Sequence, residues 1–123
     1  MAEYNPFTPD IPQDETTTKV RRLVTGVDEQ GRSVFLDDSV VPGKVGHGVP
    51  TYVATDLWRT EQTPADNALP YDDPARWEGQ AVGPSPYGSV FRILELPPDQ
   101  DWLYDAGGNQ VRPLAFHTTA SID

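Results

Sequence analysis

Cysteine is absent from the 123-residue chain. That excludes disulfides, thiolate nucleophiles, cysteine zinc sites and cysteine-held iron–sulfur clusters. Positive charge is scarce: Lys plus Arg number 9 against 19 Asp plus Glu, for a net charge of −10. No basic cluster offers the footprint that phosphate neutralisation needs, so nucleic acid is not expected as a partner. The same charge opposes binding to an anionic membrane surface. No apolar run approaches the ~18 residues of a membrane span. Met1–Pro6 has neither the basic start nor the apolar stretch of a signal peptide, and a cytoplasmic location is the expectation. Periodicity of the helical kind is not sustained over a dozen residues anywhere.

Proline and glycine are plentiful instead, at 13 and 10 residues. Leu, Ile, Val and Phe make up only about a fifth of the chain, close to the level at which charged chains stop folding. The picture is one small domain at most, with a lean core. Residues 1–18, with Pro6, Pro9 and Pro12, read as an extended arm that is ordered only where it lies against something else.

Strand signals follow the arm. Val20–Thr25 and Arg32–Leu36 flank Asp28-Glu29-Gln30-Gly31, which reads as a β-hairpin turning at Gly31. Pro42–Pro50 is glycine-punctuated and is expected to be a loop rather than a central strand. Tyr52–Thr60 has strand composition, with Tyr52, Ala54, Asp56 and Trp58 assigned to one face and Val53, Thr55, Leu57 and Arg59 to the other. Its mixed alternation suits a strand between two packed layers. Residues 61–87 are polar and proline-rich, with room for one helical turn at 74–78. Gly88–Leu96 is the strongest strand, closed by Pro97-Pro98. A turn at Gly107-Gly108-Asn109 precedes a last extended segment, 111–117. The fold class expected is all-β.

Signatures of phosphate loops, nucleophile elbows, metalloprotease helices and calcium loops are missing. Asp72, Asp73, Glu78, Asp99 and Asp101 read as solvated loop charges rather than a catalytic carboxylate pair. Tyr52, Trp58, Trp77, Tyr87, Phe91 and Trp102 read as core more than as a sugar-stacking platform. His47, between glycines, reads as an exposed loop residue. His117 and Asp123, six residues apart, could ligate one metal if the chain runs along an inward-facing strand.

At these residues the chain resembles a known family. The run Arg21–Gly26 with Asp28–Ser33, then Thr55–Thr60, Gly88–Arg92 and Pro97-Pro98, looks like the N-terminal part of small bacterial cupin-domain proteins. The resemblance covers residues 19–123 in segment order and rests on that order rather than on any one motif. It implies a partial cupin fold, a jelly-roll-type β-sandwich with long proline-rich loops, divided into an arm (1–18) and an incomplete cupin-like β domain (19–123). In the family's first metal motif His117 matches the first His, Thr119 stands where a second His would be, and Asp123 replaces the Glu. His117 and Asp123 are therefore the metal-ligand candidates that the resemblance implies, for a divalent metal in a complete barrel. Later strands of the family bring the remaining His. No other cofactor and no catalytic residue is assigned.

The function expected from this is a small-molecule-binding scaffold, not itself a competent enzyme in this form. The alternative is an interaction or assembly module that completes its sheet by strand exchange in a homodimer. Both readings expect strands such as Ser89–Leu96 to lack neighbours. They also expect the chain on its own to fold only in part, or by borrowing strands from another copy.

Overall fold

The computed structural model describes residues 5–8, 10–67, 72–73 and 82–112. Its regular elements are nearly all strands, as the β-rich composition predicts. Strands β2 (Val20–Val27) and β3 (Ser33–Val41) pair antiparallel as a hairpin. The turn between them is the expected one. Asp28 N donates to Arg32 O and Gly31 N to Asp28 O, both at 2.9 Å, and Gly31 sits at φ 76°, where a side chain would be strained. One register shift, between Val24 and Thr25, leaves Leu36 as an extra residue on β3.

The second sheet has four strands in the order β1 (Phe7–Thr8), β4 (Lys44–Gly46), β5 (Val49–Thr60) and β6 (Ser89–Glu95), each antiparallel to its neighbour. Lys44–Gly46, expected in a loop, is an interior strand with partners on both sides. Part of the N-terminal arm supplies its outer partner, and that pairing holds the arm against the body. Gln13 reinforces it, with its side-chain oxygen accepting from Gly43 N at 2.9 Å.

β5 is the central strand, and Val53–Leu57 are all buried, as a strand covered on both faces requires. The hairpin lies against one of its faces. Arg22 of β2 reaches Leu57 O of β5 at 3.0 Å, and Glu95 of β6 accepts from Thr18 N at 2.9 Å, just before β2 begins. The apolar core comprises Phe7, Val24, Val45, Val53, Ala54, Leu57 and Leu103. The one helix among the described residues, α1 (Asp99–Trp102), is one turn long and leads to Leu103, which is buried. Beyond it Asp105 accepts from the backbone of Gly107 and Asn109, closing the Gly107-Gly108-Asn109 turn as expected.

The architecture is therefore all-β, two antiparallel sheets with almost no helix. The helical turn expected at 74–78 and most of the last extended segment, 111–117, lie outside the described residues.

Candidate functional site

A cleft of about 630 Å³ opens where the hairpin meets the end of β5. Val24, Gly26, Val27 and Leu36 form the hairpin wall, and Trp58 to Thr60 form the wall on β5. Glu61, Gln62, Asp66, Asn67 and Asp72 add a polar rim from the loop that follows.

Two β-bulges shape it. On β3 the extra residue, Leu36, packs over Gly26, where any Cβ would overlap Leu36 Cδ1. On β5 the register shifts between Asp56 and Trp58. Thr55 pairs with Ile93 and Trp58 with Phe91, so Trp58 shares a face with Thr55. Strict alternation had assigned Trp58 to the Asp56 face and Arg59 to the Thr55 face. The bulge exchanges them, so Trp58 stands on the Thr55 face and Arg59 opposite Val90 on the Asp56 face, and both residues contribute to the cleft's lining.

The far face carries a buried ionic cluster that the sequence reading missed. Lys44, Asp56 and Arg92 come from three adjacent strands. Asp56 accepts from Lys44 Nζ at 2.7 Å and from Arg92 Nε and Nη2 at 2.5 and 3.1 Å. Burial, the largest single influence, would raise the Asp56 pKa. The hydrogen bonds from Arg92 and Lys44, together with their charges, outweigh it and hold the carboxyl below its usual range. Lys44 is held below the usual lysine value because burial outweighs the pull of Asp56. Phe7 lies beside both cations, its ring centre 6.0 Å from Lys44 Nζ and 5.7 Å from Arg92 Cζ. Arg92 Nη2 also donates to Val82 O (2.9 Å) and Arg59 Nη1 to Gly83 O (3.1 Å), tying the returning chain to the sheet. One signal was legible: an aspartate in the middle of a strand packed on both sides must be paired.

Arg22 fixes the other wall. Its guanidinium binds Asp73 through two bonds, 2.9 and 2.6 Å, and reaches Asp37 at 3.0 Å. Asp73 is thus a structural partner, not the solvated charge that its loop setting suggested. Asp72 lies on the cleft rim, Asp99 and Asp101 stay exposed, and Glu78 lies outside the described residues.

The aromatic residues divide. Tyr52 and Trp102 meet at 5.0 Å between ring centres, with His47 5.0 Å from Tyr52 and 5.3 Å from Trp102. His47 is accordingly half-buried rather than an exposed loop residue. It takes φ 55° in a two-residue turn with Gly48, at φ 70°, between β4 and β5. Burial first, and the Arg112 charge second, lower its pKa. Arg112 itself donates to Trp102 O. Tyr87 and Phe91, expected in the core, are exposed, and Trp77 lies outside the described residues.

The metal-ligand candidates His117 and Asp123, with Thr119 between them, also lie outside the described residues. Among the described residues no group of three His, Asp or Glu side chains is placed to hold a metal, and no helix is long and apolar enough to cross a membrane. Compared with protein-family models and with curated proteins, the chain matches none.

Proposed function

We propose that this chain is a small-molecule-binding β-sandwich scaffold of the cupin type, with its ligand held in the cleft between the hairpin and the end of β5. The observation that carries the reading is the cleft itself. It lies between two sheets, with a mainly apolar hairpin wall, Trp58 on the β5 wall and a polar rim on one side, and its roughly 630 Å³ falls in the ~300–1,000 Å³ range of small-molecule sites. Two bulges shape its walls, one setting Leu36 over Gly26 and the other placing Trp58 on the Thr55 face of β5. Arg22 braces the hairpin wall to β5 and to Asp73, so the walls are held apart before any ligand arrives. A preformed cleft of this kind binds without a large ordering cost.

Amide NMR of the chain, titrated with sugars, hydroxy acids, amino acids and nucleosides, tests this. A true ligand shifts the amides of Val24–Val27 and of Thr60–Gln62 together. The Ala65→Trp variant, which adds an indole at the cleft's lining, weakens that ligand at least tenfold while leaving the sheet amides of β5 in place. Saturable binding that leaves both segments unmoved, or a panel without any binder, refutes the reading.

A further inference from the structure

Strand β6 is an open edge among the described residues, paired with β5 and with nothing else. It is also apolar: Phe91 is 61% exposed, Ile93 40% and Leu94 47%. Edge strands of soluble proteins ordinarily carry an outward charge, a proline or a bulge that blocks further pairing. β6 has two charged side chains and both are turned back into the molecule. Arg92 binds Asp56 across β5, and Glu95 accepts from Thr18 N. Nothing on the strand between Ser89 and Glu95 therefore repels another strand.

We infer that β6 pairs antiparallel with β6 of a second copy of this chain, about a twofold axis at Arg92, joining the two four-stranded sheets into one of eight. The choice of a second copy rests on the pattern of the strand itself. A twofold interface must be complementary to itself, and Ser89-Val90-Phe91-Arg92-Ile93-Leu94-Glu95 is symmetric in hydropathy about its middle residue. Centred there, each Phe91 faces Ile93 of the other copy, each Val90 faces Leu94, and each Ser89 faces Glu95. All seven residues are used, and four apolar cross-strand pairs form. The only like charges brought opposite each other are the two Arg92 side chains, and each is neutralised by its own Asp56 in a two-bond ion pair. The inference is independent of the cleft: none of Phe91, Ile93 and Leu94 lines it.

Sedimentation velocity and light scattering on the full chain test the interface, and charge substitution tests the register. The unaltered chain runs as a dimer of twice its 13.6 kDa mass. Ile93→Lys and Phe91→Asp are each monomeric, with the circular dichroism of the parent. Mixing the two variants restores a dimer, because Lys at 93 then faces Asp at 91 while the other pair stays apolar. Phe35→Lys, on the exposed outer face of the hairpin, leaves the dimer intact. Hydrogen exchange on the unaltered chain needs no variant: amides within Ser89–Glu95 gain protection as concentration rises through the dissociation range. A monomer at all concentrations overturns the inference. So does a dimer that survives both substitutions, a mixture that stays monomeric, or β6 exchange that does not depend on concentration.

Discussion

Asp56 decides the fate of two cations, Lys44 buried and Arg92 half-buried. Its carboxylate is the group that Lys44 Nζ and Arg92 share, at 2.5 to 3.1 Å. Removing one partner of such a cluster leaves charge in a medium that cannot solvate it, at a cost of about 3–5 kcal/mol. Asp56→Asn, nearly identical in shape, is expected to lower unfolding free energy by that amount in urea titrations at pH 7. The folded-state pKa of Asp56 lies below the unfolded value of 3.8, so the stabilisation is present above 3.8 and is lost as pH falls through the folded value. The gap between parent and variant should therefore narrow as pH is taken below 3.8; a constant gap would show that the charge is not what matters. His47 acts in the same direction for a different reason: its charged form is disfavoured rather than held. Burial and Arg112 lower its pKa, so below the unfolded value of 6.5 the unfolded chain takes up a proton that the folded chain resists. Stability is expected to fall as pH drops from 6.5 to the folded-state pKa, and His47→Asn should abolish that step. Asn enters the positive-φ region as His does, so the backbone gains little. The lost ring contacts with Tyr52 and Trp102, worth about 0.5–1.5 kcal/mol each for aromatic pairs, should leave the variant about 1 kcal/mol less stable at pH 7.

At the scale of elements, two glycines make a test of how rigid each neighbour is. A methyl at Gly26 would overlap Leu36 Cδ1, the end of a side chain that can rotate towards the cleft. A methyl at Gly88 would overlap the carbonyl oxygen of Thr60, which is fixed in the strand that β6 pairs with. Overpacking costs about 1–3 kcal/mol. Gly26→Ala is expected near the lower end and Gly88→Ala near the upper, read from thermal or urea unfolding; the reverse order would mean that the β3 bulge is the stiffer feature. The same distinction between local and distant partners explains what the sequence disclosed. The hairpin was legible because its signals lie within the paired segment: β-branched strands and a turn with Gly31 at positive φ. Strand β4 was not, since three residues between Pro42-Gly43 and His47-Gly48 look like a loop until Phe7–Thr8 and β5 pair with them from elsewhere. The bulge at Asp56/Trp58 leaves no local mark either, yet it decides which of Trp58 and Arg59 shares the face of Thr55. Of the cleft, Trp58 and Asp72 could be named in advance. The ionic cluster could not, because Lys44, Asp56 and Arg92 are 12 and 36 positions apart and meet only through sheet register.

The molecule combines a strong negative charge with two apolar surfaces that are exposed among the described residues. One is β6; the other is the outer face of the hairpin, where Leu23, Phe35 and Val40 are exposed. A charge of −10 on each chain opposes association of any two copies, and that repulsion is long-ranged and screened by salt. The β6 pairing proposed above brings no unlike charges together across its twofold axis. Its attraction comes from apolar contact and backbone hydrogen bonds, which salt of this concentration hardly touches. Salt should consequently act on the repulsion alone. Raising sodium chloride from 20 to 500 mM shortens the Debye length from about 20 Å to about 4 Å, and the dissociation constant of the dimer, followed by sedimentation velocity, is expected to fall at least several-fold. An interface built on ion pairs would respond in the other direction, dissociating as salt rises. Phe35→Lys adds a positive charge on the hairpin rather than on β6 and reduces the net negative charge by one, so it should shift the low-salt dissociation constant slightly downward and leave the high-salt value where it was.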